Sequence, residues 1–244
     1  MGEKMQMETV RLVKFLSSCG VLSRRAAGDA VLAGRVAVNG TVTLNPGLQV
    51  TGNDAVTLDG YPVSQESRKY YIMLNKPRGY TCSAEDRHAE HLALELIDLP
   101  VRLFSAGRLD KDSEGLILFS NDGAFIERLT HPRHSVRKRY VVTVSKPFTD
   151  GDIRRLTSGI ADDGERLAAI AVRRLDDKRY MFTLGEGKKR EIRRMVASLG
   201  AKTLRLKRIA VGNLLLGPLP AGKWRELTPE ERDQALMTPA SISE

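Results

Sequence analysis

Five charged side chains fall between two apolar runs that are each too short to be core helices. The runs are Leu103-Phe104-Ser105 and Leu116-Ile117-Leu118-Phe119. Between them the chain reads Gly107-Arg108-Leu109-Asp110-Lys111-Asp112-Ser113-Glu114-Gly115. Short apolar runs of this kind suit buried strands. The charges then sit on a loop held between strands, a common place for chemistry. Cations on either side favour the charged form of an acid placed there. On its own such a loop is a solvated turn, so its company along the chain has to decide.

The net charge is +9 and the pI about 9.7, which points to a polyanion as partner. The excess is local. Residues 1–66 carry six basic and six acidic side chains, whereas 188–208 carry nine basic side chains against the single acid Glu191. A membrane surface is the weaker choice, since no long amphipathic basic helix is evident. No run approaches the roughly 20 apolar residues of a span. Cys19 and Cys82 form neither a metal-ligand spacing nor a disulfide framework, which fits a reducing cytoplasm. The start, Met1 to Glu8, has none of the pattern of a signal peptide.

Read in order, Val10–Ser18 is a short amphipathic helix stopped near Gly20. Ser23 caps a second helix to Ala33, with Ala26, Ala30 and Val31 facing in. Asn39-Gly40 joins the strands Arg35–Val38 and Thr41–Leu44 as a hairpin, because both turn residues tolerate positive φ. Ala55–Leu58 is a further strand. Tyr70–Leu74 is a strand, and the turn Asn75-Lys76-Pro77-Arg78-Gly79-Tyr80 exposes Lys76 and Arg78. Glu85–Glu90 is a charged loop and Leu92–Ile97 a helix. Asn121-Asp122-Gly123 starts the helix Ala124–Thr130. A strand follows at Val141–Val144, then a helix capped by Asp150, then paired strands at Leu167–Leu175 and Arg179–Leu184. Val211–Leu216 is a short apolar run, and Pro229 opens a last helix. Strands and helices mix without a βαβ rhythm, which predicts an α+β catalytic domain on a largely antiparallel sheet.

Several of these stretches carry a resemblance. Gly107-Arg108-Leu109-Asp110, with Gly115-Leu116-Ile117-Leu118 and Asn121-Asp122-Gly123, resembles the central motif of the pseudouridine synthases, most closely the RsuA type acting on ribosomal RNA. The Lys76-Pro77-Arg78-Gly79 turn, Lys138-Arg139-Tyr140, the run Glu186 to Met195 and the ending Lys223-Trp224-Arg225 follow in the family's order. Residues 10–63, with Ser23-Arg24-Arg25-Ala26 and the Asn39-Gly40 hairpin, resemble the S4 RNA-binding module. The resemblance implies a pseudouridine synthase fold and the isomerisation of a uridine in ribosomal RNA. Asp110 is implied as nucleophile or base, Tyr140 as the ring stacking on the target base, and Arg193 as the partner of Asp110. Arg108 is implied to fill the space the base leaves or hold its phosphate. Lys14, Arg24, Arg25, Arg35, Lys76, Lys188, Lys189, Arg190 and Arg194 are taken as RNA-binding. Glu191 stands where the family commonly has glutamine and brings a charge close to the site.

The implied layout is a disordered start at 1–8, an S4-like domain at 9–64, a linker at 65–69, a catalytic domain at 70–233 and a flexible tail at 234–244. No metal and no cofactor are expected. The partner is ribosomal RNA or a ribosome assembly intermediate, with the small-subunit RNA taken before the large, and a cytoplasmic monomer is expected. Three other readings fit less. Asp110-Lys111-Asp112-Ser113-Glu114-Gly115 begins like a calcium loop, but Asn121 falls where its bidentate glutamate belongs. Glycoside hydrolysis by Asp110, Asp112 and Glu114 lacks aromatic platforms for a sugar. An RNA-binding protein without catalysis leaves the set of Asp110, Tyr140 and Arg193 unexplained.

Overall fold

Two units form around separate cores in the computed structural model, which describes residues 9–64, 66–82 and 90–237. One comprises the described chain up to Lys69 together with Pro100–Leu103, and the other Tyr70–Leu99 and the chain from Phe104 onward. The expected disordered start and most of the expected tail and charged loop lie outside the described residues.

In the first unit, α1 (Leu12–Ser18) and α2 (Arg24–Leu32) pack on a four-stranded sheet. The Ser23 hydroxyl caps α2 by accepting from the Ala26 N–H at 3.2 Å. Ala27 rather than Ala26 is buried beside Ala30 and Val31, so the inward face is turned by one residue from that expected. The sheet is built from β1 (Val36–Val38), β2 (Thr41–Val42), β3 (Val56–Leu58) and β4 (Tyr61–Pro62). Asn39 and Gly40 take φ of 51° and 80° in the β1–β2 turn, the pair of positive values a tight hairpin needs. Leu12, Phe15, Leu16, Val31, Val36 and Val56 make its core.

The second unit is organised by a large mixed sheet. Its main strands are β5 (Tyr71–Lys76), β6 (Glu114–Ser120), β7 (Lys138–Val144), β8 (Ala171–Arg174), β9 (Arg179–Leu184), β10 (Thr203–Val211) and β11 (Trp224–Glu226). They lie in the order β8-β9-β7-β10-β6-β5-β11, all neighbours antiparallel except β10 with β6. Helices α3 (Gly123–Thr130), α4 (Asp150–Ser158), α5 (Glu191–Ser198) and α6 (Pro229–Leu236) complete the unit. One core joins Met73, Leu116, Leu118, Phe125, Leu129 and Ala235, which seats α3 and α6 against β5 and β6. The carboxylate of Asp122 caps α3 through the Ala124 N–H at 3.0 Å.

Several elements differ from the sequence expectation. The helix expected at Leu92–Ile97 is a single 3-10 turn, Ala93–Leu96. Thr149, not Asp150, caps α4, in a reciprocal box with Asp152. Leu167 does not belong to β8 but to a separate hairpin, Ile160–Asp162 with Glu165–Leu167. Most consequential, β5 runs on to Lys76, so the turn begins only at Pro77. Lys76 was expected on an exposed turn, yet it is 0% exposed. Its ammonium donates to the carbonyls of Pro77 at 2.9 Å and Tyr80 at 2.8 Å. A lysine so enclosed is no surface contact for phosphate, and burial lowers its pKa.

Candidate active site

The charged loop Gly107–Ser113 enters β6 and is fixed by three other stretches of the chain. The Leu109 N–H donates to Cys82 Sγ at 3.4 Å. The Gly79 N–H donates to the Lys111 carbonyl at 2.8 Å. Arg193 Nη2, from α5, donates to the Asp112 carbonyl at 3.1 Å. Within the loop, the Ser113 N–H closes a turn on the Asp110 carbonyl at 2.9 Å. Leu109 is buried under the loop, while the Asp110 side chain, 37% exposed, is open to solvent. A polar side chain on a loop with this many backbone anchors keeps its direction without needing its own carboxylate for support.

Asp110 meets Arg190 rather than the expected Arg193. Arg190 Nη1 lies 3.9 Å from Asp110 Oδ2. Arg193 spends its guanidinium on the carbonyls of Asp112 and, at 3.4 Å, of Thr203. It acts on Asp110 as a nearby charge and not as a direct partner. Burial, then the Arg190 charge, lowers the Arg193 pKa. Arg108 is exposed on the same loop.

Tyr140 is 7% exposed on the inward face of β7. Its cross-strand partners are Phe182 on β9 and Arg208 on β10. Arg208 in turn faces Gly115 on β6, and Gly115 faces Lys76 on β5. Tyr140 and the base of the Asp110 loop are thus two strand spacings apart, about 10 Å. Gly115 makes this row possible. A Cβ there would lie 2.2 Å from the Arg208 carbonyl oxygen, and its φ is 103°. The β6–β10 ladder stops at Gly115, and Arg208 Nε takes the Leu116 carbonyl at 2.6 Å instead.

Glu191 is 6% exposed at the start of α5 and accepts from the Lys188 N–H at 3.2 Å. Burial raises its pKa, against the hydrogen bond from Lys188 and the Lys188 charge, which lower it.

The other expected RNA-binding residues divide. Lys14, Arg24, Arg25, Lys189 and Arg190 are exposed. Arg35 is held by Asp59 through two hydrogen bonds. Arg194 is taken by Asp162 and Glu165, and the Lys188 ammonium by the Arg166 carbonyl at 2.8 Å. Arg205, elsewhere in the basic run, pairs with Glu114. A sequence-local charge excess is therefore partly neutralised by acids distant in the chain. Arg35 and Arg194 are structural cations first. Among the described residues no three His, Cys, Asp or Glu side chains gather to hold a metal ion.

Two basic residues that the sequence did not mark as contacts lie in or next to the row. Arg208 is 3% exposed, and Lys138 opens β7 close to it. Burial, then the Arg208 charge, pushes the Lys138 pKa down to about 8. The penalty on its charged form is complete below pH 8. It is relieved as pH rises from 8 toward the unfolded value of about 10.4. Lys138→Met is expected to raise unfolding stability by about 3 kcal/mol at pH 7 and by less than about 1 kcal/mol at pH 10. Urea midpoints at the two pH values check this.

Residues 70–198 match the profile of a family described as RNA pseudouridylate synthase, and residues 10–56 match the S4 domain. The chain belongs to the RNA pseudouridylate synthase family. It is 41% identical over 235 residues to an uncharacterized RNA pseudouridine synthase of Aquifex aeolicus (strain VF5), covering 93% of this chain and 94% of that one. It is 36% identical to the ribosomal large subunit pseudouridine synthase B of Bacillus subtilis (strain 168), over 91% and 93% of the two chains. The ribosomal small subunit pseudouridine synthase A of Escherichia coli (strain K12) is 35% identical, over 91% and 98%. A crystal structure of a pseudouridylate synthase superposes with a TM-score of 0.69 at 31% identity, covering 93% of this chain and 99% of that one.

Proposed function

We propose that this protein isomerises one uridine of ribosomal RNA to pseudouridine, with Asp110 as the group that engages the nucleoside. The observation that carries the reading is the Asp110 loop. Its backbone is anchored from Gly79, Cys82 and Arg193 while its carboxylate stays open beside Arg190. A carboxylate held by other groups than its own oxygens is pre-positioned for reaction. The target uridine leaves its stack to reach it, and Tyr140 offers a ring for the extruded base. The C1′–N1 bond breaks, the base turns, and C5 bonds to C1′. The C5 proton is lost and N1 gains one, so the reaction balances without an outside reactant. Arg193 orients the loop through the Asp112 carbonyl, and Arg108 takes the vacated space or a phosphate.

The first unit is assigned as the RNA-binding module, residues 9–64, joined by 65–69 to a catalytic domain from residue 70. The protein is assigned as a cytoplasmic monomer acting on free ribosomal RNA or an assembly intermediate, with the small-subunit RNA as the first substrate to try. No helix among the described residues is long and apolar enough to cross a membrane.

The test is release of tritium from ribosomal RNA labelled at uracil C5, followed by mapping of the modified position. Absence of release from free RNA and from assembling particles of both subunits would refute the reading. Binding is also expected to weaken with salt. Among the described residues of the basic run, the Lys189, Lys202 and Lys207 ammonium groups have neither an acid nor a carbonyl as partner, and Arg190 has only its long contact with Asp110. Each that meets a phosphate adds about −0.7 to the log–log slope on single strands. Lys189→Ala should make the measured slope shallower by about that amount, and an unchanged slope would remove Lys189 from the interface.

A further inference from the structure

Tyr140, Arg208, Gly115 and Lys76 form a row across four adjacent strands. Two cations in that row are almost fully enclosed, Lys76 at 0% and Arg208 at 3% exposure. Lys138 and the buried thiol of Cys82 lie within electrostatic reach of Arg208. Among the described residues no carboxylate forms an ion pair with Arg208, Lys76 or Lys138. Asp110 and Glu114 act on Lys76 only at longer range. Burying cations without a counter-charge is costly. Folds that keep such an arrangement commonly do so where a ligand completes it.

The two buried cations of the row differ in one respect. The Lys76 ammonium is held by two carbonyls. Arg208 gives Nε to the Leu116 carbonyl, but its Nη2 is buried with no protein partner. A phosphate oxygen cluster calls for several donors together, and the exposed Arg108, Lys189 and Arg190 suit it better. A single N–H on the cross-strand neighbour of a tyrosine suits the carbonyl edge of a planar base. Resting on the isomerase reading above, we infer that Arg208 is a further substrate-contacting residue. Its free Nη2–H holds O2 or O4 of the uracil stacked on Tyr140 and stabilises the negative charge that passes onto the base.

The charge is an unavoidable feature of the reaction. If C1′–N1 opens, its electron pair goes to N1 and spreads to O2 and O4. If Asp110 first adds to C6 of the ring, the displaced pair also moves to the O4 carbonyl oxygen, and the C6–O bond opens again, returning its pair to the carboxylate, when the C5 proton is lost. When C5 bonds to C1′ the pair enters that bond, the C5 proton leaves and N1 is protonated. A donor placed at a carbonyl oxygen is strongest at the moment the base is anionic, which is the condition for accelerating a step. Lys76 and Lys138 add positive potential beneath it without touching the base.

The experiment is a substitution cycle on enzyme and base together, in single-turnover reactions of the full chain. The RNAs carry uridine, 2-thiouridine or 4-thiouridine at the mapped target, because sulfur accepts a hydrogen bond more weakly than oxygen. R208M is expected to slow conversion of uridine at least 100-fold, with RNA affinity changed less than 3-fold. One of the two thio-bases is expected to cost the wild type at least 10-fold more than it costs R208M. Equal thio effects in both enzymes would reduce Arg208 to a brace for Leu116 and overturn the inference. Should R208M fail to fold, R208K carries the same cycle. A wild type indifferent to both thio-bases overturns the inference with no variant needed. A wild type that converts no uridine in any ribosomal RNA sinks the isomerase reading, and this inference with it.

Discussion

Asp110→Asn is expected to abolish conversion, with kcat lower by about 10^4-fold or more, while the protein folds normally and binds RNA as tightly as before or tighter. The separation of the two effects follows from the geometry. The loop is held through the N–H groups of Leu109, Gly79 and Ser113 and through the Asp112 carbonyl, and none of these contacts uses the Asp110 carboxylate. Losing the charge also frees Arg190 for a phosphate. Tritium release and filter binding, measured on the same preparation, decide the matter. Retained release from the asparagine variant would remove Asp110 from the chemistry. Lost binding would mean that the carboxylate supports the loop after all.

Gly115→Ala is expected to destabilise the second unit by more than about 4 kcal/mol. The new methyl would have to occupy a point 2.2 Å from the Arg208 carbonyl oxygen and 2.8 Å from its nitrogen, in a chain segment at φ 103°. Both colliding atoms are backbone, so no side-chain rotation relieves them. The only escape is to move β6 away from β10, which tilts the Asp110 loop and breaks the Arg208–Leu116 contact. Urea unfolding followed by far-UV signal should show the loss, and any soluble fraction should be inactive. An alanine variant with wild-type stability would mean that the β6–β10 contact is looser than described. Gly107 is a useful control, since a Cβ there meets nothing within 4 Å, although its φ of 75° adds modest strain.

Much of this was legible in the chain because local chemistry and tertiary role agree. Asn39-Gly40 forms the turn it favours, Ser23 caps the helix it precedes, and the short apolar runs around the charged loop are strands. The unread parts have physical causes. β10 was hidden because Arg205, Lys207 and Arg208 made a central strand look like part of a solvated basic run. Only the alternation of Leu206, Arg208 and Ala210, all buried, betrays it. Lys76 was misplaced because Lys-Pro-Arg-Gly reads as a turn throughout, while the ladder to Gly115 keeps its first residue in the strand. The partner of Asp110 was misassigned because Arg190 and Arg193 lie one helical turn apart. Only the fold shows that the latter is spent on backbone carbonyls.

The place of β10 in the sheet has a consequence for how the molecule is made. It lies between β7 and β6, and among the described residues no other strand joins the group β8-β9-β7 to the group β6-β5-β11. Each group can form hairpin-like pairs as it is translated, but their union waits for a segment late in synthesis. Such long-range closure is slow and leaves unpaired strand edges open to aggregation meanwhile. A nascent chain that has emerged only as far as Gly200 already carries Asp110, Tyr140 and Arg193, and yet it lacks the strand that sets Tyr140 and the Asp110 loop in one sheet.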